Sequence, residues 1–297
     1  MLLTDKQRLF ASPSLSELPN IAARNVVGIV DVTATTEQWF QTAVNQLIKH
    51  AGNIRADELT PQLLRRFQTA VSLRATNQTA NNYIRAIKTI YNRLLHHGIV
   101  AHNPAQHIPS LPEPPNYPRA VMEETYEAMR KAVTAVRDKA ILDLCWVSGC
   151  RVGELQTIRL NQIEMVGEEG LAFQVLGKGE KIRYIYAKGS QAQTIIHYIQ
   201  HERPQTRHRA LFLTQTTGAP LAYHTIQHIF KKAATGLPPN TITNAHGYRH
   251  AAAIRWLDEG VDLATVSQWL GHSDPAFTAK VYCVRTEQQL RAKYFQT

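Results

Sequence analysis

His246-Gly-Tyr-Arg249-His250 is the stretch on which the reading of this 297-residue chain turns. Leu270-Gly271-His272-Ser273 follows it, and then a tyrosine, Tyr282; upstream lie Gly149-Cys-Arg151-Val-Gly-Glu154-Leu and Gly177-Lys178-Gly179. Guanidinium and imidazole groups can absorb the charge that builds on a pentavalent phosphorus. A tyrosine hydroxyl can supply the nucleophile, and a lysine can protonate the departing oxygen. Together these side chains suit attack on a phosphodiester without a metal ion. Any one piece is common, whereas the whole set in this order on one chain is specific.

Each piece has a local rationale. Ser148-Gly149-Cys150 should break one helix before another begins at Val152. Arg151 then stands at a helix start, where free backbone N–H groups help a guanidinium grip phosphate. Glu154, one turn further along the same face, is placed to hold a basic partner; alone, the two would read as a surface ion pair. His246 and Arg249 are three apart on an expected helix and share a face, bordered by His250. His246, His250 and His272 raise a metal site as a rival reading. The stretch lacks the glutamate of a His-Glu-x-x-His motif, and Arg249 would set a cation beside the metal, so no metal ligand is assigned. His272 falls at a tight turn after an expected helix over 263–269 capped by Asp262. Lys178 sits at the tip of an expected hairpin, from which a lysine can swing onto a leaving oxygen, with Lys181 and Arg183 nearby as candidates for phosphate contact. Tyr282 is one of eleven tyrosines and is marked by position alone. His224 and His228 are four apart but match no motif.

Composition bounds the partners. The formal charge of +10 comes from 33 basic against 23 acidic residues. Up to Ser110 there are 11 basic and 6 acidic residues, and beyond it 22 and 17, so both halves are basic, as expected if both touch one long polyanion. An apolar content of 44% argues against global disorder. Cys145, Cys150 and Cys283 show neither a disulfide framework nor paired ligand spacing, which suits a reducing compartment. Met1-Leu-Leu runs at once into Thr4-Asp5-Lys6, with no signal-peptide apolar region, and the apolar run around 140–147 is too short to span a bilayer. The expectation is a cytoplasmic protein with no membrane partner.

Along the chain, residues 1–30 lack periodicity and are expected as an N-terminal arm. A small helical domain is expected over 31–107. Its first helix opens with Thr35-x-x-Gln38, its second with Thr60-Pro61, and its third runs from Asn77 to His97 and stops at Gly98, with an apolar stripe of Ala80, Ile84, Ile87, Tyr91, Leu94 and Leu95. The opposite stripe of that third helix carries Asn81, Arg85, Lys88 and Asn92, a mixture of cation and amide suited to phosphate and base edges, or to water on an ordinary surface. Five prolines within 108–118 place an extended linker over 108–120. The remainder, 121–297, reads as a larger, mostly helical domain with a hairpin formed by 171–176 and 182–186. The fold class is therefore mainly α with a small β-sheet.

These motifs resemble the tyrosine recombinases, or phage-integrase family, and among them the compact Xer-like members. The likeness is strongest over 138–294 and weaker over 35–104, where a helix ends in Gly98-Ile-Val-Ala-His-Asn103-Pro104-Ala105. The resemblance implies catalytic roles for Arg151, Lys178, His246, Arg249, His272 and Tyr282. Tyr282 would cleave a strand to give a 3′-phosphotyrosyl link and a free 5′-hydroxyl. Arg151, Arg249 and His272 would stabilise the phosphorane, Lys178 would act as general acid, and His246 would assist proton transfer or position the phosphate. No cofactor is implied. The implied partner is double-stranded DNA with short inverted-repeat sites, on which the protein would assemble as a tetramer. The tail after Val284, with Leu290, Tyr294 and Phe295 at helical spacing, would dock into a neighbouring protomer. Two other readings stand beside this one: a non-cleaving DNA-binding regulator of the same fold, and a type IB topoisomerase-like enzyme. The chain departs from the family pattern in its ten-residue step from His272 to Tyr282, one longer than usual, although Thr278 keeps its place four before Tyr282. Val284 stands where a histidine is common.

Overall fold

The computed structural model describes residues 12–24, 28, 30–113, 119–177, 182–272, 276, 278–279 and 295. The chain divides into two units, Met1–Pro115 and Asn116–Thr297, with the division inside the proline-rich segment.

The first unit is helical. Four helices, α1 (Leu18–Ala22), α2 (Ala34–Ala51), α3 (Pro61–Arg74) and α4 (Asn77–His96), surround a core of Phe40, Leu47, Leu64, Phe67, Ile84, Ile87 and Tyr91 among others. Helix α3 starts as its sequence dictates: the Thr60 hydroxyl accepts from the Leu63 backbone N–H at 3.2 Å and Pro61 fills the first position. Helix α2 begins two residues earlier than the Thr35 signal implied, because Thr33 is the residue that caps it, accepting from Thr36 N–H at 3.2 Å. The apolar stripe of α4 is buried except for Leu95, which remains exposed. The stretch expected as an arm contributes Leu15, Leu18 and Ala22 to this core. Over its described residues it is therefore an integral part of the unit, and its shortness, not its lack of apolar residues, concealed the helix.

The polar stripe of α4 also departs from expectation. Asn81 is buried, and its amide is fully engaged with the segment that follows the helices. Its Oδ1 accepts from the Leu111 N–H at 2.8 Å, and its Nδ2 donates to the Leu111 carbonyl at 2.9 Å and to Glu113 at 2.7 Å. Lys88 donates to the Gln106 carbonyl at 2.9 Å, and Asn92 accepts from Asn103 at 2.8 Å. Three of the four residues thus clamp 103–113 onto the unit, and Asn81 has no surface to offer nucleic acid. Arg85 is exposed.

In the second unit, α5 (Glu123–Ala132), α6 (Val136–Ser148) and α7 (Val152–Thr157) precede a three-stranded antiparallel sheet. The sheet runs in the order β1 (Ile163–Val166), β2 (Gly170–Leu176), β3 (Ile182–Lys188), with Phe173 paired to both Ile163 and Ile185. Helices α8 (Gly189–His197), α9 (Tyr223–Ala233), α10 (Ala245–Asp258) and α11 (Leu263–Leu270) follow among the described residues. The expected hairpin is β2–β3; β1 was not expected, since it is four residues long and exposed over its last three.

Helix α6 runs through the middle of this core, with every residue from Ala140 to Trp146 buried. Asp143 on it is wholly buried and is bound by Arg130 through Nε at 2.7 Å and Nη2 at 3.2 Å, and by the Tyr126 hydroxyl at 2.8 Å. Tyr126 stacks on Trp146 at 4.4 Å, and Tyr248 of α10 meets both rings edge-on. In this way α10 is fixed against α6 by its core face, which leaves His246 and Arg249 on another.

Replacing Asn81 with Ala strands the Leu111 peptide without its partners. It should destabilise the first unit by about 2–3 kcal/mol, the usual cost of leaving buried polar groups unsatisfied. The loss should be visible as a lower urea midpoint and faster amide exchange in α4, with DNA affinity changing only as far as folding does.

Candidate active site

Four structural edges bring the described candidates together. Helix α6 stops at Gly149, which is left-handed at φ 56°, and the chain re-enters helix after Arg151, the residue preceding α7. Arg249 comes from the first turns of α10, whose start is capped by Asn244 accepting from Gly247 N–H at 2.8 Å. His272 follows α11, whose start Asp262 caps as the sequence implied. Arg183 comes from β3.

Arg249 is only 2% exposed. Its Nη1 donates to the Gly149 carbonyl at 2.9 Å, and its Nη2 donates to the Leu270 carbonyl and to His272 Nε2, the latter at 3.0 Å. An arginine cannot accept, so His272 Nε2 is the acceptor and the imidazole proton lies on Nδ1. That Nδ1 is 2.7 Å from the hydroxyl of Thr278, which is fully buried. Arg151 reaches the same loop through Nη2 to the Gly271 carbonyl at 3.3 Å. Gly271 is required here: at φ 66°, a β-carbon would lie 2.7 Å from Arg183 Cδ and 2.9 Å from its Nε.

Glu154 lies between two arginines. It is buried, accepts from the Arg151 backbone N–H at 2.8 Å and Nη1 at 2.9 Å, and is gripped by Arg183 through Nε at 3.1 Å and Nη2 at 2.6 Å. Burial pushes its carboxyl up, but the Arg183 hydrogen bond and charge, with Arg151 behind them, outweigh this and hold it below the usual range.

The imidazoles are lowered too, which in their case favours the neutral form. Burial, then the charges of Arg249 and Arg151, depress His272 to about 4. Burial, then His246 and Arg249, depress His250 to about 4, and His246 is lowered by burial and the same two arginines. The rings of His246 and His250 meet edge-on, 4.4 Å apart. His250 and His272 are therefore neutral at pH 7, and His246 is shifted in the same direction, in a field that attracts anions.

The structure thus gathers Arg151, Glu154, Arg249 and His272 into one hydrogen-bonded network and sets His246 within the field of its arginines. Lys178, Lys181, Tyr282 and Tyr294, the other tyrosine near the C-terminus that could serve as nucleophile, lie outside the described residues. Arg183 was read as an alternative phosphate contact, but it is 9% exposed and committed to Glu154 and the Trp269 carbonyl. Strand alternation could have revealed this, because Arg183 has the same parity as the buried Ile185 and Ala187. Among the described residues no three histidine, cysteine, aspartate or glutamate side chains are grouped to hold a metal ion, and no helix is long and apolar enough to cross a membrane.

Arginines and imidazoles shifted toward the neutral form converge here at helix ends beside a hairpin, an arrangement suited to holding an anion such as a phosphate. Comparison with known proteins gives it a family. The model of the phage integrase family matches residues 118–289, and the chain belongs to that family, as a tyrosine recombinase. It is 33% identical over 191 residues to tyrosine recombinase XerC of Staphylococcus haemolyticus, covering 62% of this chain and 63% of that protein, somewhat under two thirds. It is 29% identical over 230 residues to tyrosine recombinase XerC of Bacillus subtilis, covering 74% of each. In fold it is similar to the XerH site-specific recombinase, solved in a post-cleavage complex with a palindromic difH substrate. The TM-score is 0.73 at 15% identity, over 91% of this chain and 82% of that one.

The depressed imidazoles make stability depend on pH. Between about pH 6.5, where an unfolded histidine titrates, and about pH 4, the unfolded chain binds protons that folded His250 and His272 refuse. Stability should therefore be full above pH 6.5 and fall as the pH drops through that window. His250→Gln should flatten the dependence, which thermal unfolding at pH 7 and pH 5 would measure; an unchanged slope would show that His250 titrates normally.

Proposed function

We propose that this tyrosine recombinase cleaves and rejoins double-stranded DNA at short inverted-repeat sites through a 3′-phosphotyrosyl link to Tyr282. The observation that carries the reading is the convergence of Arg151, Arg249 and His272, three groups remote in sequence, on the loop at Gly271. Tyr282 attacks the scissile phosphorus, the bond to the 5′ oxygen breaks, and Lys178 supplies the proton that makes it a hydroxyl. A 5′-hydroxyl from a second strand then attacks the phosphotyrosine and releases the tyrosine, so each step exchanges one phosphoester for another. Arg151 and Arg249 offset the charge on the phosphorane, as does His272 by donating from Nε2, and His246 assists proton movement or phosphate placement.

In this reading the first unit grips DNA, with Arg85 the exposed cation of its α4 stripe, and the second carries out the chemistry. Strand exchange between two duplexes calls for four protomers, and the tail after Val284 is the natural link between neighbours. The XerH complex contains a recombinase on its palindromic site, and lambda integrase has been solved as a tetramer bound to a Holliday junction; these support the assembly proposed. A non-cleaving regulator is disfavoured because it would have no need of a cation network of this kind.

A nicked duplex that traps the covalent adduct tests the reading. Wild-type protein should become attached to the strand 3′ end, and Tyr282→Phe should bind equally well while forming no adduct. Native electrophoresis of paired duplexes should show the tetramer with both proteins. Adduct surviving in Tyr282→Phe but lost in Tyr294→Phe would move the nucleophile.

The acid can be tested separately. Lys178→Ala should be slow on ordinary DNA and recover on a substrate whose 5′ leaving oxygen is sulfur, since a thiolate departs without a proton. Absence of recovery would transfer the test to Lys181.

A further inference from the structure

The Glu154 carboxylate has more cationic partners than an ion pair needs. Two donors from Arg151 and two from Arg183 occupy its oxygens, which fills the acceptor capacity of the group. The two arginines are not equivalent. Arg183 is 9% exposed and meets the carboxylate fork to fork, with its remaining amino group on the Trp269 carbonyl. Arg151 is 38% exposed and offers one guanidinium nitrogen, while its Nη2 extends to the Gly271 carbonyl. The buried cation belongs to the carboxylate, and the exposed one faces the site.

We infer that Arg183 is a positioning residue whose charge cancels that of Glu154, so that Arg151 keeps its own for the scissile phosphate. The inference rests on the reading of the site as a strand-cleaving centre. One carboxylate between two guanidinium groups leaves a net charge of +1 at the entrance. Without Arg183 the remainder is a closed Glu154–Arg151 pair with no net charge. Both carboxylate oxygens would then be free to take the Arg151 fork bidentately, and in a poorly solvated site that attraction would turn Arg151 away from an incoming anion. Arg183 has a second duty in the same geometry. It stands on β3, the strand that follows residues 178–181 in the sequence, and its bond to the Trp269 carbonyl and its packing against Gly271 tie that strand to the His272 segment.

A charge cycle separates this from a merely architectural arginine. The variants are R183M, E154Q and R183M/E154Q, measured on the nicked duplex for adduct rate at saturation and, separately, for half-site affinity. R183M should slow adduct formation by about a hundredfold with affinity held within about threefold, the pattern of lost transition-state stabilisation. R183M/E154Q should regain about tenfold or more of that rate, because the carboxylate that captures Arg151 is gone. If the double variant is as slow as R183M while wild type forms adduct, the inference is wrong and Arg183 only holds the fold. If wild type itself forms no adduct, the recombinase reading fails instead. Should R183M not fold, R183K keeps the charge without the fork, and adding E154Q to it should bring no gain; a gain there would also overturn the inference.

Discussion

A guanidinium inside the protein, held by the ends of two helices, is the constraint on which the second unit is organised. Arg249 sits where the last carbonyls of α6 and α11 converge, at Gly149 and Leu270. Carbonyls at helix C-termini lack intrahelical partners and lie at the negative end of the helix dipole. They can therefore stabilise a buried cation while carrying only partial charge. The bond also sets the position of the two helix ends relative to each other, and so of the residues that follow each: Arg151 after α6 and His272 after α11. An arginine that serves as the joint of the fold and also faces the chemistry cannot be altered for one purpose alone.

His272 illustrates how such a joint can also be a switch. With Arg249 donating to Nε2, the ring is neutral and its proton is on the side of Thr278. A hydroxyl can donate as readily as it accepts, so Thr278 tolerates either tautomer. In the proposed reaction, when a phosphate oxygen takes over the Arg249 donor, the proton would pass to Nε2 and Thr278 would turn its own hydrogen toward Nδ1. The imidazole then becomes a donor to the phosphate without acquiring a net charge, which its depressed pKa would oppose.

Much of this was legible in the sequence because helix starts and motif spacing are local properties. Thr60-Pro61, Asp262 and the Ser148-Gly149 break each fixed an element boundary through a hydrogen bond or a backbone conformation available within a few residues. The spacing of His246 and Arg249 on one helix face was equally local. What remained hidden depended on partners far along the chain. Asn81 looks like a surface amide until residues 111–113 are laid against it. Leu15 and Leu18 look like part of an arm because a single helical turn shows no period, although a core elsewhere receives them. Arg183 was the intermediate case: strand parity pointed it inward, but nothing local named Glu154 as its partner across 29 residues.

The longer step between His272 and Tyr282 can be located by the same reasoning. The bond from His272 Nδ1 to the Thr278 hydroxyl closes a loop at both ends, and Thr278 is wholly buried. An added residue inside 273–277 leaves both of these anchors in place. The four-residue step from Thr278 to Tyr282 is the one the family pattern has, so the distance along the chain from the last fixed anchor to the proposed nucleophile is unaltered. Had the extra residue fallen after Thr278, it would have rotated the tyrosine by about 100° on any helix linking them. Its position before Thr278 is what would let the proposed nucleophile keep a family-length approach despite the unusual spacing.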